Sequence, residues 1–316
     1  MTNRYEQCYE DQSIDDLRDV VKFTDWSIAQ HDCDLIEEMT RDQSADPLWF
    51  KMRLGRVTAS IFSRCVKTSI DNPSKSLLNS IFTENSVQNI PACIYGKEHE
   101  SNGIKEALNA FRANKHRNVS GRNSGLVISP KHPYLAASPD HIISCDCCGI
   151  VTVEVKCPFK SDHLSKEEGI NVLINRKPQS SAYIRSIPVL AELQNFCNFC
   201  RILKSYFCCR KVRERSAADF VQNCRILQYG NRPIVRNSNG RLAMNHEHPY
   251  YYQVQAQIFL CDANYGFFVI WARQFSIFIK VTRNNEFLES NAKKAEDFFE
   301  KVIGPEIIGH YYTSRK

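Results

Sequence analysis

The stretch from Ser138 to Pro158, SPDHIISCDCCGIVTVEVKCP, constrains the fold of this chain more than any other. Apolar residues alternate in its second half, IVTVEVK. Val151, Val153 and Val155 fall on one face, Thr152, Glu154 and Lys156 on the other. Successive side chains of a strand leave opposite faces, so this period of two predicts a strand that presents a carboxylate and an ammonium side by side. Asp140, behind Pro139, supplies a second carboxylate. If SPDHIIS pairs with IVTVEVK as a hairpin, Asp140 and Glu154 converge at one end of it. Two convergent carboxylates form a hard oxygen site suited to one or two ions of Mg²⁺ or Mn²⁺. Lys156 beside such a site can stabilise developing charge or help to deprotonate an attacking water. A bare Glu-x-Lys is more simply a surface salt bridge on a half-exposed strand. The spacing PD-x13-ExK, with 13 residues between Asp140 and Glu154, is a far more specific arrangement.

With 316 residues, the chain is long enough to bury a sizeable core. At 43% hydrophobic and 24% charged residues it reads as globular, which excludes wholesale disorder. The net charge of +6 permits a nucleic-acid partner without demanding one. The polar, acidic start MTNRYEQCYEDQ does not read as a signal peptide, and the apolar run GFFVIWA is too short to span a bilayer. Fourteen cysteines in such a chain point to free thiols in a reducing compartment, nucleus or cytoplasm, with no secretion and no membrane partner.

Residues 1–45 read as a helical extension, with a helix bearing Leu17, Val20, Val21 and Phe23 behind the start signals Ser13 and Asp15. In DPLWFKMRLGRVTASIFSRC, Pro47 can open a helix that Gly55 closes, and Thr58 or Ser60 can cap a second helix carrying Ile61, Phe62 and Val66. That helix start, close in sequence to Arg53 and Arg56, offers a phosphate site; plain capping is the competing reading.

YGKEHESNGIKEALNAF is helical by period. Glu100 aligns with Ile104, Ala107, Leu108 and Phe111, while Glu98 aligns with Asn102, Lys105, Glu106 and Asn109 on a solvated face. Glu100 therefore faces the core side, where a carboxylate needs a metal or a lysine, unless it is a rim residue with a surface ion pair. GLVIS and YLAAS read as strands leading into Asp140. HPYYYQVQAQIFL is a helix from Pro249, in which Gln253 and Gln257 share a polar stripe beside Val254 and Ile258. Gln253 can serve a carboxylate, a water or a phosphate. Two strands, at Gly266–Ala272 and Ser276–Thr282, and a last helix ending at Gly304-Pro305 follow. Between about 178 and 231 the pattern is hard to assign, and the segment reads as an insertion.

WFKMRLGRVTAS, YGKEHE, SPD, VEVKCP and YYYQVQ, in this order, resemble the successive motifs of the lambda-exonuclease-like, YqaJ-type viral recombinase family within the PD-(D/E)xK nuclease superfamily. The resemblance covers about residues 46–160 and 230–310. It implies an α/β, restriction-endonuclease-like mixed central sheet flanked by helices, in a domain over 46–310 interrupted by the insertion. It further implies divalent-metal-dependent digestion of linear duplex DNA from the 5′ end. On the matching positions, Asp140 and Glu154 would be metal ligands with the Val155 carbonyl. Lys156 would assist the water, Glu100 would complete the carboxylates, and Gln253 would support the site. Arg53 and Ser60 match the positions that hold the 5′-phosphate. Partners implied are double-stranded DNA ends, a single-strand annealing protein, and further copies of the chain in a ring trimer. His141 departs from the family, which often has glycine there. Two other classes stay open: a DNA-binding module of the same fold that does not cut, and an endonuclease with the same core.

Cys145, Cys147 and Cys148 crowd the turn of the expected hairpin, and Cys197 with Cys200 forms a CxxC. A structural zinc drawing on both groups is one expectation, scattered free thiols the other.

Overall fold

The computed structural model of the chain describes residues 4–84, 90–174 and 232–313. Two compact units emerge, one from residues 1–162 and 249–316, the other from residues 163–248. The expected insertion at about 178–231, with Cys197 and Cys200, lies outside the described residues.

The larger unit is built on a five-stranded mixed sheet. Its strands are β2 (Ser120–Arg122), β5 (His141–Cys145), β6 (Gly149–Lys156), β9 (Tyr265–Ala272) and β10 (Phe275–Thr282). They run in the order β10-β9-β6-β5-β2, with β6 and β9 parallel and every other neighbour antiparallel. The expected hairpin is present: His141 pairs with Val153 and Cys145 with Gly149. The alternation in β6 is sorted by two helices. Val151, Val153 and Val155 pack with Tyr95, Ala107 and Phe111 of α6 (Pro91–Ala113), which covers one face. On the other face lies α8 (Pro249–Leu260), whose Gln253 and Gln257 reach Glu154. Covered on both sides, the centre of the sheet is dry, so the half-exposed strand with a surface ion pair is ruled out.

Glycine sets how closely both helices sit. A Cβ on Gly103 of α6 would overlap Val155 Cγ1 and stand 3.3 Å from Trp271 Cβ. On the opposite face, Gly266 of β9 leaves room for Val254 and Ile258 of α8.

A smaller three-stranded sheet of β1 (Val57–Thr58), β4 (His132–Ala137) and β3 (Val127–Ser129) adjoins a second core. There Leu135 and Val57 meet Phe62 of α4 (Phe62–Lys67), Leu77 and Ile81 of α5 (Lys75–Phe82), and Phe298 of α9 (Asn285–Phe298). The expected helix cap at Thr58 or Ser60 is corrected here. Thr58 belongs to β1, its hydroxyl lies 3.2 Å from that of Ser60, and α4 begins only at Phe62 without a side-chain cap. Pairing of β1 with Leu135 and Ala136 claims the backbone that local signals assigned to a helix start.

At the N-terminus, α1 (Ile14–Phe23) is capped by Ser13 as expected and buries Leu17 and Val21, but Phe23 points outward at 89% exposure. The last helix does not stop at Gly304-Pro305. A wider turn over Phe299–Ile303 leads into α10 (Gly304–Gly309), and a Cβ on Gly304 would stand 2.6 Å from Val21 Cγ1. This glycine thus serves close packing against α1, not chain termination. In the smaller unit, α7 (Lys166–Ile174) accompanies a hairpin of β7 (Ile234–Arg236) and β8 (Leu242–Met244), whose connection passes through Gly240 at φ +73°.

Gly103→Ala tests the α6 contact. Alanine normally gains about 1 kcal/mol over glycine in a helix interior. Here overpacking against Val155, typically about 1–3 kcal/mol, should outweigh that gain, for a net loss of up to about 2 kcal/mol in denaturant unfolding. A stabilised variant would show that α6 is not held by this contact.

Candidate active site

Glu154 is the centre of the site. At 1% exposure its carboxylate is buried, and every partner comes from a defined place on the fold. Gln253 Nε2 donates to Oε1 at 2.6 Å, and Gln257 Nε2 donates to Oε2 at 2.6 Å. Lys156 Nζ, two residues on along the same face of β6, forms an ion pair with Oε1. The i,i+4 spacing on α8 brings both glutamines over one strand position. Gln253 thus serves a carboxylate, one of its three expected uses. Gln257 is a site residue that the sequence reading placed on the right stripe but did not assign to the site.

Asp140 enters from the loop before β5. Its N–H donates to Val153 O at 3.1 Å, and its Oδ2 accepts from Val155 N at 2.7 Å. These bonds latch the side chain to the edge of β6 beside Glu154, so the hairpin brings the two carboxylates to one end. Burial, and then the charges of Glu154 and Glu100, raise the Asp140 carboxyl well above the ordinary aspartate range. Glu100, half-buried on α6, is raised as well, first by its burial, with Lys156 opposing and Glu154 adding to the shift. Glu98 is exposed on the same helix, as its spacing predicted. The solvated face assigned to Glu106 needs correction: its carboxylate accepts from Trp271 Nε1 at 3.0 Å and from the Ser276 hydroxyl. Those donors come from β9 and β10, more than 160 residues further on, and are invisible to a helical count.

Burial disfavours the Lys156 ammonium, but Glu154 and Asp140 outweigh it and hold it protonated beyond the usual lysine range. Its Nζ also lies 5.2 Å from the centre of the Tyr250 ring, at the start of α8. The result is a cluster of three acidic groups around one fixed cation. Asp140 and Glu100, raised first by burial and then by neighbouring carboxylates, mark a site where a divalent ion would favour the charged forms, and an all-oxygen donor set suits Mg²⁺ or Mn²⁺. The residues therefore fit such an ion.

Arg53, at the end of α3 (Pro47–Arg53), lies over the Trp49 ring with its guanidinium carbon 3.9 Å from the centroid. Trp49 Nε1 in turn donates to Ser138 Oγ at 2.9 Å, two residues before Asp140. Ser60 is exposed. Arg56, considered with Arg53 for phosphate binding, is buried instead. Its Nε donates to Pro133 O at 3.0 Å and its Nη1 to Met52 O, so it is a structural cation bound to backbone. His141 is buried in the place where the family often has glycine. Its ring is accommodated by Gly121 of β2, where a Cβ would stand 2.6 Å from His141 Nε2.

Residues 48–180 match the YqaJ-like viral recombinase domain. The family resemblance read from the motifs is borne out over that segment, which spans Arg53, Glu100, Asp140, Glu154 and Lys156 but not Gln253. Among solved structures, the chain is similar to the alkaline exonuclease LHK-Exo from Laribacter hongkongensis at 16% identity, over 82% of this chain and 93% of that one, with a TM-score of 0.45. It is also similar to the Shutoff and Exonuclease Protein from Kaposi's sarcoma-associated herpesvirus at 13% identity, over 96% and 77%, with a TM-score of 0.47. No curated protein matches the sequence. Among the described residues, no helix is long and apolar enough to cross a membrane.

The raised Asp140 carboxyl has a consequence for stability. Folded Asp140 keeps its proton to higher pH than the unfolded chain does, so its ionisation costs stability as pH rises from the ordinary aspartate value through the folded one. Asp140→Asn keeps an acceptor for the Val155 N–H and removes the charge. In chelator, the variant should melt above wild type at about pH 8, and the difference should shrink toward about pH 4. Identical pH profiles would show that burial and the neighbouring carboxylates do not raise Asp140.

Proposed function

We propose that the chain is a metal-dependent deoxyribonuclease that digests linear duplex DNA from the 5′ end, of recombination or repair type. The observation that carries this reading is the convergence of Asp140, Glu154 and Glu100 around Lys156 on a strand buried between two helices. Asp140, Glu154 and Glu100, with the Val155 carbonyl, would hold Mg²⁺ or Mn²⁺, which when bound supplies activation of water and neutralisation of phosphate charge.

The chain's own residues do the rest. Lys156, held as an ammonium, places a fixed positive charge where a phosphodiester accumulates negative charge during in-line attack. In this field it acts as an electrostatic stabiliser more readily than as a base. Gln253 and Gln257 hold the Glu154 carboxylate in one orientation, so it spends no reorganisation on meeting a cation. Backbone contacts of this kind read no base edges, so sequence preference should be low.

End recognition falls to Arg53 and Ser60. A terminal 5′-phosphate carries more negative charge than an internal phosphodiester, and a guanidinium can bind it through two parallel N–H donors. Trp49 supports this role, because it links Arg53 to Ser138 and so to the Asp140 loop.

Digestion of linear and covalently closed duplex, with Mg²⁺ and with chelator, tests the proposal. Linear DNA should be degraded only with the metal, 5′-phosphorylated ends faster than 5′-hydroxyl ends, and closed circles hardly at all. Arg53→Ala should bring the phosphate-to-hydroxyl ratio toward one while Mg²⁺-dependent cutting survives. Equal attack on circles would favour an endonuclease with the same core, and metal-independent binding without cutting would favour a binding module.

The two neighbouring glutamates of α6 separate the site from its surroundings. Glu100→Gln should lower the rate roughly 10²-fold or more, as loss of a charged group at a reacting centre does. Glu98→Gln should leave it near wild type, since Glu98 is exposed. Equal losses in single-turnover cleavage would place Glu100 outside the site.

A further inference from the structure

The far end of the catalytic hairpin carries a second set of metal-ligating side chains that the nuclease chemistry does not use. Cys145 ends β5, Cys147 and Cys148 form the turn into β6, and His116 lies three residues beyond the end of α6. His116 Nδ1 is 3.1 Å from Cys147 Sγ, 3.4 Å from Cys148 Sγ and 3.5 Å from Cys145 Sγ. Cys147 Sγ stands 3.6 Å from Cys145 Sγ and 3.9 Å from Cys148 Sγ, and all four atoms lie within 4.8 Å of one another. Tetrahedral zinc, with bonds of ~2.3 Å to sulfur and ~2.0 Å to nitrogen, needs about 3.8 Å between sulfurs and about 3.5 Å between sulfur and nitrogen. The observed spacings bracket those edges. They are also far beyond the ~2.05 Å of a disulfide, so no pair is bonded.

The backbone around the four ligands is braced. Asp146 N donates to Arg117 O at 3.1 Å, and Asn118 Nδ2 to Asp146 Oδ2 at 2.8 Å, tying the turn to the segment that holds His116. Asn264 Nδ2 donates to Cys148 O at 2.6 Å, and Gly149 leaves the turn at φ +64°. The Phe111 ring, 4.8 Å from that of His116, limits the tilt of the imidazole.

We propose that His116, Cys145, Cys147 and Cys148 bind one structural Zn²⁺ that fastens the β5–β6 hairpin to the C-terminal end of α6. Three soft thiolates and an imidazole select zinc over Mg²⁺, and four protein ligands leave no open position for substrate. Binding takes the three sulfurs as thiolates, any thiol proton going to solvent, and the imidazole through Nδ1. The four-ligand set is complete without Cys197 and Cys200. Its role is mechanical: α6 carries Glu100, and the hairpin carries Asp140 and Glu154 about 16 Å away at its other end. A clamp at the turn holds these two elements in one relative position. The site stands whether or not the chain cuts DNA.

Untagged full-length protein, purified under reducing conditions, should contain about one zinc more per chain than a His116→Ala/Cys147→Ser variant, as read by mass spectrometry of the metal. That difference, not the total, decides, because five other cysteines lie between residues 197 and 224. Replacement of zinc by Co²⁺ should give tetrahedral d–d bands with thiolate charge transfer, and His116→Cys should convert them to the spectrum of a four-thiolate site with the fold retained. Zinc-free wild type, or equal zinc in wild type and the double variant, would overturn the proposal. If the double variant does not fold, a Co²⁺ spectrum unchanged by His116→Cys would overturn it equally.

Discussion

Burial of one carboxylate governs the arrangement of this molecule. A carboxylate in the covered part of the sheet costs several kcal/mol unless its lone pairs are used. Gln253, Gln257 and Lys156 use three of these about four positions. That requirement sets where α8 crosses β6, since two amides one helical turn apart must both reach the same side chain. It also sets how close α8 comes, which is why the neighbouring strand presents Gly266 beneath Val254 and Ile258. Removal of any one partner would leave a buried charge part-satisfied, and this is costlier than never having buried it.

The opposite face of β6 answers a different constraint. Val151, Val153 and Val155 seek an apolar cover, and α6 supplies it with Tyr95, Ala107 and Phe111. At 23 residues, α6 is about 35 Å long. It therefore spans the hairpin from the carboxylate end, where it contributes Glu100, to the cysteine turn, where the chain leaving it contributes His116. Gly103 lets it lie against Val155 along the way. One helix thus relates a cluster of carboxylates at one end to a cluster of thiols and an imidazole at the other.

Negative charge is concentrated here against the general tendency of a basic chain. Asp140 and Glu100 are both raised by burial and by their neighbours, and Lys156 is raised in answer. Such a cluster costs stability, and structure elsewhere offsets the cost. The Asp140 loop is tied down by Gln43, whose Nε2 donates to Pro139 O at 2.9 Å, and by Trp49 through Ser138. Both donors come from near the start of the chain, so the N-terminal segment participates in shaping the site.

Local periodicity made much of this legible beforehand. The strand of Glu154 and Lys156, the hairpin to Asp140, the inward side of Glu100 against the exposed side of Glu98, and the helix of Gln253 all follow from spacings within about a dozen residues, where side-chain direction is dictated by the backbone. Contacts between distant segments were beyond such spacings. Nothing near Gln257 says that it meets Glu154 103 residues earlier, and nothing near His116 says that it faces three cysteines some 30 residues on. Likewise Arg56 turned inward to the carbonyls of Met52 and Pro133, Glu106 found donors on β9 and β10, and Gly304 made room for Val21. By itself the sequence determined which side chains share a face of an element. Only the tertiary structure decided which faces meet, because a buried polar group takes its partners from whatever packing brings within 3 Å, however far along the chain they lie.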